Sequence, residues 1–187
     1  YPTVVIALEV AFDLPFGELL SLSLIGFVLY GVAALPAGWL GDKWSSPGML
    51  AIFFFGTGAA GITAGFVSGP IGIAVALAAI GFFSSIYHPV GTAFVVRHAS
   101  NRALDLGRNG AWGTAGLALS AFIAAGLTYL LNWRAAFFVP GVVCLGLGLL
   151  FILTTRPIDS NKSETGSITK PRFCLLYTSD AADEVLG

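Results

Sequence analysis

Charge is what this chain has least of. Only 10% of its 187 residues are Asp, Glu, Lys or Arg, and between Lys43 and Arg97 there are 53 consecutive residues without one. As a single helix that run would reach roughly 80 Å, more than twice the ~30 Å of hydrocarbon in a bilayer. No soluble core needs such a stretch. Reactive side chains are equally scarce: two histidines, His88 and His98, and two cysteines, Cys144 and Cys174. There is no His-Glu-x-x-His and no pair of acids in an apolar run, which excludes metal- and aspartate-dependent intramembrane proteolysis. Ser84 and His88 would share one helix, a poor geometry for a serine nucleophile and its base. Cys144, in the middle of an apolar run, reads as a small packing residue, and no disulfide framework can be drawn. No enzyme activity, catalytic residue, cofactor or metal is therefore expected, and nothing points to nucleic acid as a partner.

What the chain does have is hydrophobic length. It is 56% hydrophobic with a mean hydropathy of +0.86. The long uncharged run breaks at Ser68-Gly69-Pro70, which predicts helices near 49–67 and 71–95. Further uncharged runs at 19–41, 109–133 and 135–155 are 23, 25 and 21 residues long. Each matches the ~20 residues a tilted helix needs to cross a bilayer. A charge at mid-membrane costs about 2.5–3.5 kcal/mol on insertion scales, so clean runs at this spacing are not accidental. The expected class is an all-α membrane protein with the lipid bilayer as its solvent.

Tyr1 to Leu8 is an apolar stub too short to cross, expected to be the outer end of a truncated first helix. At the other end, Cys174 to Asp183 back-translates in frame to a sequence resembling the transposon-end adaptor of sequencing libraries. Residues 174–187 are accordingly expected to be a cloning or assembly scar, outside fold reasoning. Setting aside Asp180, Asp183 and Glu184 moves the formal charge from −1 to +2. The expected organisation is a partial transmembrane bundle over 1–153, a cytoplasmic linker over 154–173 rich in Ser, Thr, Lys and Asn, and the scar.

Basic residues orient the threading. Lys43, then Arg97, Arg102 and Arg108, then Arg156, Lys162, Lys170 and Arg172 fall on one side, and only Arg134 on the other. That bias places the first group in the cytoplasm, leaves Glu9, Asp13 and Glu18 in an extracytoplasmic loop, and puts both ends inside. Counting the stub gives six helices. Small residues are a main packing device in lipid, so the Gly61/Gly65 pair and the Gly110, Gly113, Gly116 face are expected to pack within the bundle. Pro36, Pro89 and Pro140 should kink the spans that hold them.

After the first complete helix the chain reads Gly38-Trp39-Leu40-Gly41-Asp42-Lys43-Trp44-Ser45-Ser46-Pro47. This resembles the loop between the second and third helices of the major facilitator superfamily, whose pattern is Gly-x-Leu-(Ala/Gly)-Asp-(Arg/Lys)-x-Gly-(Arg/Lys)-(Arg/Lys). Gly38, Leu40, Gly41, Asp42 and Lys43 match, whereas Ser45, Ser46 and Pro47 stand where a Gly and two bases are usual. Asn132-Trp133-Arg134-x-x-Phe137 is similar to the start of the sixth helix in that superfamily. Ser84-Ser85-Ile86-Tyr87-His88-Pro89-Val90-Gly91 resembles the end of the fourth helix in its fosmidomycin-resistance-type exporters.

The resemblance implies the N-terminal six-helix bundle of a twelve-helix secondary transporter, in a bacterial inner membrane, working by alternating access with its C-terminal half absent. It implies that Asp42 clamps a cytoplasmic gate by pairing with a base after the fourth span, for which Arg97 is the local candidate, and caps a helix in the other half. The alternative for Asp42 and Lys43 is a solvated turn that only sets topology. His88 is the ionisable group inside a complete span that makes a candidate for solute or proton handling, with Ser84 one turn away and Ser85 and Tyr87 beside it. Its alternative is packing, through a bond to a neighbouring helix or to the carbonyl freed by Pro89. No acid lies inside a complete span. The solute itself is not legible, and a channel or receptor stays open.

Overall fold

The computed structural model describes residues 2–155, all within the first of two compact units, Tyr1–Arg156. The predicted linker beyond Thr155 and the terminal adaptor segment lie outside the described residues.

A short 3₁₀ turn, Pro2–Val4, leads into α1 (Val5–Phe12), α2 (Phe16–Ser21), α3 (Leu24–Lys43), α4 (Ser46–Phe66) and α5 (Pro70–Ser84). A π-helical turn, Tyr87–Gly91, then joins α5 to α6 (Thr92–His98), followed by α7 (Arg102–Leu130) and α8 (Ala135–Thr154). No strand occurs among the described residues. Among the described residues five stretches are long and apolar enough to cross a membrane: Phe16–Lys43, Ser46–Phe66, Pro70–His98, Arg102–Leu130 and Ala135–Thr154. They carry exposed apolar side chains, such as Leu35 at 82% and Ile71 at 79% exposure, that only lipid or further protein can cover.

Turn chemistry places the breaks. Ser45 caps α4 by accepting from the Gly48 N–H at 3.1 Å, with Pro47 in the first turn. Pro70 opens α5, where its missing N–H costs nothing. The Asn101 carboxamide accepts from the Leu104 N–H at 3.2 Å and starts α7. Asp13 closes α1 in the left-handed region, φ 53°, its N–H bonded to the Glu9 carbonyl at 2.9 Å.

These caps shorten the expected loops. Glu9 lies on α1 and Glu18 in the first turn of α2, so only the Asp13–Pro15 corner remains of the predicted acidic loop. The stub is helical to Phe12, four residues beyond Leu8. Arg97 belongs to α6, while Arg102 and Arg108 lie in the first turns of α7. At ~1.5 Å per residue this 29-residue helix is longer than the hydrocarbon is thick, so it is long enough to hold its cations outside an apolar slab.

Packing relies on close backbone approach. A Cβ on Gly61 would lie 3.3 Å from Gly141 Cα, and one on Gly65 would lie 3.1 Å from the Arg134 carbonyl oxygen. The Gly61/Gly65 pair therefore packs inside the bundle, α4 against α8. Gly26 and Gly81 do the same for α3 and α5, since a Cβ on Gly81 would overlap the Gly26 carbonyl oxygen. The glycine face of α7 behaves differently from expectation. Cβ atoms on Gly110, Gly113 and Gly116 would meet nothing within 4 Å, and no α7 residue is buried. The reason is that the contacts α7 makes, with the first 3₁₀ turn, the π-turn, α6 and α8, come from other positions, leaving that face uncovered among the described residues.

Two apolar clusters mark the ends of the bundle. One gathers Val5, Leu8, Leu19, Ile73, Leu77 and Trp133, so α1 is seated against its neighbours. The other holds Ala37, Met49, Leu50, Ile86 and Val90.

Arg134 is spent at the first of these ends. Its Nη1 donates to the carbonyls of Gly65 at 3.0 Å and Val67 at 2.7 Å, the unpaired end of α4, and its guanidinium lies 4.5 Å from the Trp133 ring centre. Charge-assisted bonds to the last carbonyls of a helix also favour its dipole. Arg134→Ala should therefore lower stability by about 2 kcal/mol, read as a drop in thermal midpoint in detergent, with Arg134→Lys between the two.

Candidate functional site

The basic end of the bundle is assembled by the last turns of α3. A Cβ on Gly38 would lie 3.1 Å from Pro89 Cβ, and one on Gly41 would lie 2.7 Å from Val90 Cγ2. The two glycines, three residues apart on one helix face, thus let the π-turn rest directly on α3. Leu40, 40% exposed, lies off that contact. Lys43 does not pair with its neighbour Asp42. Its Nζ sits 4.3 Å from the Trp39 ring centre, a cation–π contact at an exposed site.

Asp42 meets Arg97 instead. Arg97 Nη2 donates to Asp42 Oδ1 at 2.7 Å across 55 residues of sequence. The same guanidinium donates from Nη1 to Ser46 Oγ at 2.9 Å. The two charged side chains are 50% and 67% exposed, so water screens them, and a pair of this kind contributes about 0–1 kcal/mol. One guanidinium therefore ties together the end of α3, the start of α4 and the end of α6. Contacts of this strength can form and break on each cycle of a moving protein.

Of the four pathway candidates, two come together. Pro89 has no N–H for the carbonyl four residues back and crowds it, and the helix widens there into the π-turn, a form often found where helices do something other than pack. His88 is exposed on that turn. Its ring stands edge-on to Tyr30 at 5.7 Å and to Tyr87 at 6.1 Å, and its imidazole has no hydrogen bond among the described residues. The bond to a neighbouring helix or to a freed carbonyl, set out above as the packing alternative, is not made.

Ser84 Oγ lies 3.4 Å from Thr57 Oγ1, a long contact. It lines a cavity of about 270 Å³ between α3 and α5, with Ser23, Phe27 and Tyr30. Tyr30 thus links the Ser84 cavity to His88. Ser85 and the Tyr87 hydroxyl are engaged elsewhere. Ser85 is 1% exposed and donates to the Phe82 carbonyl at 2.6 Å, on the side of α5 that faces Ala37 and Met49. Tyr87 donates its hydroxyl to Asn109 Oδ1 at 2.8 Å and so ties the π-turn to α7.

Ser46, Tyr30 and Asn109 escaped sequence reasoning. Ser46 departs from a pattern that expects a base, and that departure was the available signal. Tyr30 and Asn109 carry none, because each acts through a partner on another helix.

The sequence profile of the Major Facilitator Superfamily matches residues 1–180. No curated protein matches the chain.

Proposed function

Since the chain belongs to the major facilitator superfamily, a family of membrane transporters, we propose that it moves a small solute by secondary active transport through alternating access. The Asp42–Arg97 contact carries this reading. It holds the ends of α3 and α6 together by a pair weak enough to open when helices rock, as a gate between two states requires. In this reading the five spans and α1 form the first half of a twelve-helix fold, in a bacterial inner membrane, with the cationic end and both termini of the half in the cytoplasm. The remaining half of the same protein closes the other wall of the solute cavity.

His88 stands edge-on to Tyr30, which with Ser84 lines the cavity between α3 and α5, and in this reading it handles the solute or a coupled proton. The Ser84–Gly91 segment favours an exporter of the fosmidomycin-resistance type as the branch. Membrane vesicles bearing the intact protein should show solute flux driven by an imposed ion gradient and abolished by an ionophore that collapses it. Flux that follows solute concentration alone would instead support a channel. His88→Ala should alter the pH profile of that flux while leaving the amount of protein in the membrane unchanged. An identical profile would leave His88 a packing residue.

A further inference from the structure

We propose that Ser46 is the positioning residue of the Asp42–Arg97 latch, the group that fixes the plane of the guanidinium; this rests on the gate reading above. Asp42 holds Arg97 at one point, Nη2 to Oδ1. A guanidinium held at one point pivots about that bond, and both side chains are at least half exposed. The second point is Ser46 Oγ, which accepts from Nη1 at 2.9 Å. With two nitrogens of one rigid fork engaged, the plane is set.

Ser46 is itself held. It is 7% exposed, in the first turn of α4 behind the Ser45 cap. Its hydroxyl points toward the Gly41 carbonyl at 3.5 Å, which leaves a lone pair for Arg97. The side chain at this position also has to be neutral. A lysine or arginine there, as the superfamily pattern has, would set a cation against Arg97. Serine supplies an acceptor instead, so among the described residues Arg97 is the cation paired with Asp42 and Ser46 is its second anchor.

The test uses the intact protein in inside-out vesicles with all its native cysteines, Cys144 among them, replaced by alanine and a reporter cysteine at Ser84, in the cavity behind the latch. The rate at which a membrane-impermeant maleimide labels the reporter measures how often the gate stands open. Ser46→Ala should raise the rate about threefold, the scale of one exposed charge-assisted contact. Asp42→Asn should raise it at least as much, and the double variant no further than Asp42→Asn alone. Arg97→Lys keeps the charge but cannot fork, and should match Ser46→Ala. Ser46→Thr, which keeps the hydroxyl, should restore the wild-type rate. Wild-type labelling in Ser46→Ala alongside raised labelling in Asp42→Asn would overturn the positioning role and leave the gate standing, as would additive effects in the double variant. Wild-type labelling in both would remove the gate itself.

Discussion

Replacing Gly81 with alanine is expected to leave little folded protein in the membrane. A Cβ at that position would overlap the carbonyl oxygen of Gly26 and lie 2.8 Å from its Cα, while a Cβ on Gly26 would lie 2.7 Å from the Leu77 oxygen. The obstacle is backbone on both sides, so no rotamer change relieves it, and α3 and α5 must separate. Overpacking a core costs about 1–3 kcal/mol when side chains can adjust. With rigid backbone as the obstacle the loss should reach at least the top of that range, against a total of about 5–15 kcal/mol for a typical domain. The measurement is the monodisperse fraction and thermal midpoint after extraction in mild detergent. Gly110→Ala is the matched control. Its new methyl meets nothing within 4 Å, and alanine is the better helix former by about 1 kcal/mol, so stability should hold or rise. Equal stability of the two variants would contradict the close crossing of α3 and α5.

Asp42→Asn is expected to reduce transport about fivefold while the protein inserts at wild-type levels. Asparagine keeps the size of the side chain and a carbonyl that can still accept from Arg97, so only the charge leaves. An exposed pair contributes up to about 1 kcal/mol, which limits the shift of a two-state gate to about fivefold through this contact alone. That ceiling separates two roles. A much larger fall would point to a further partner for the Asp42 carboxylate, such as the helix that the family resemblance implies it caps. The Arg97 contribution is also screened by salt, since the Debye length is about 8 Å at physiological ionic strength. Unchanged flux in vesicles would remove Asp42 from the gate.

The spans were legible because lipid imposes a strong and local rule. A charge is costly through the middle of a crossing helix, so the clean runs from 19 to 155 announced α3, α4, α5, α7 and α8 directly. Asp42 and Arg97 were legible for a different reason, a loop pattern at the end of α3 together with a base after the next-but-one span. What escaped depends on which helix faces which. Gly61 and Gly65 have the same spacing logic as Gly110, Gly113 and Gly116, yet only the first pair meets a neighbour. Ser84 and Ser85 are adjacent in the chain, and the helix turns one toward Tyr30 and the other toward Met49. Pro89 predicted a kink, but a kink and a π-turn look alike in sequence. They differ in whether the following residues keep their angular position around the axis.

That difference bears on which changes of length this chain tolerates. In the widened Tyr87–Gly91 segment, each turn takes up one residue more than an α-helical turn, so deleting one residue there would let the ladder relax to ordinary α-helix with everything after it near its original angular position. Arg97 would still face Asp42, whereas the same deletion in the α-helical stretch Pro70–Ser84 would turn it away by about 100° although every side chain of the latch was intact. The stretch from Pro70 to Arg97 thus holds one residue of slack, confined to the π-turn, while along its α-helical part the number of residues is fixed.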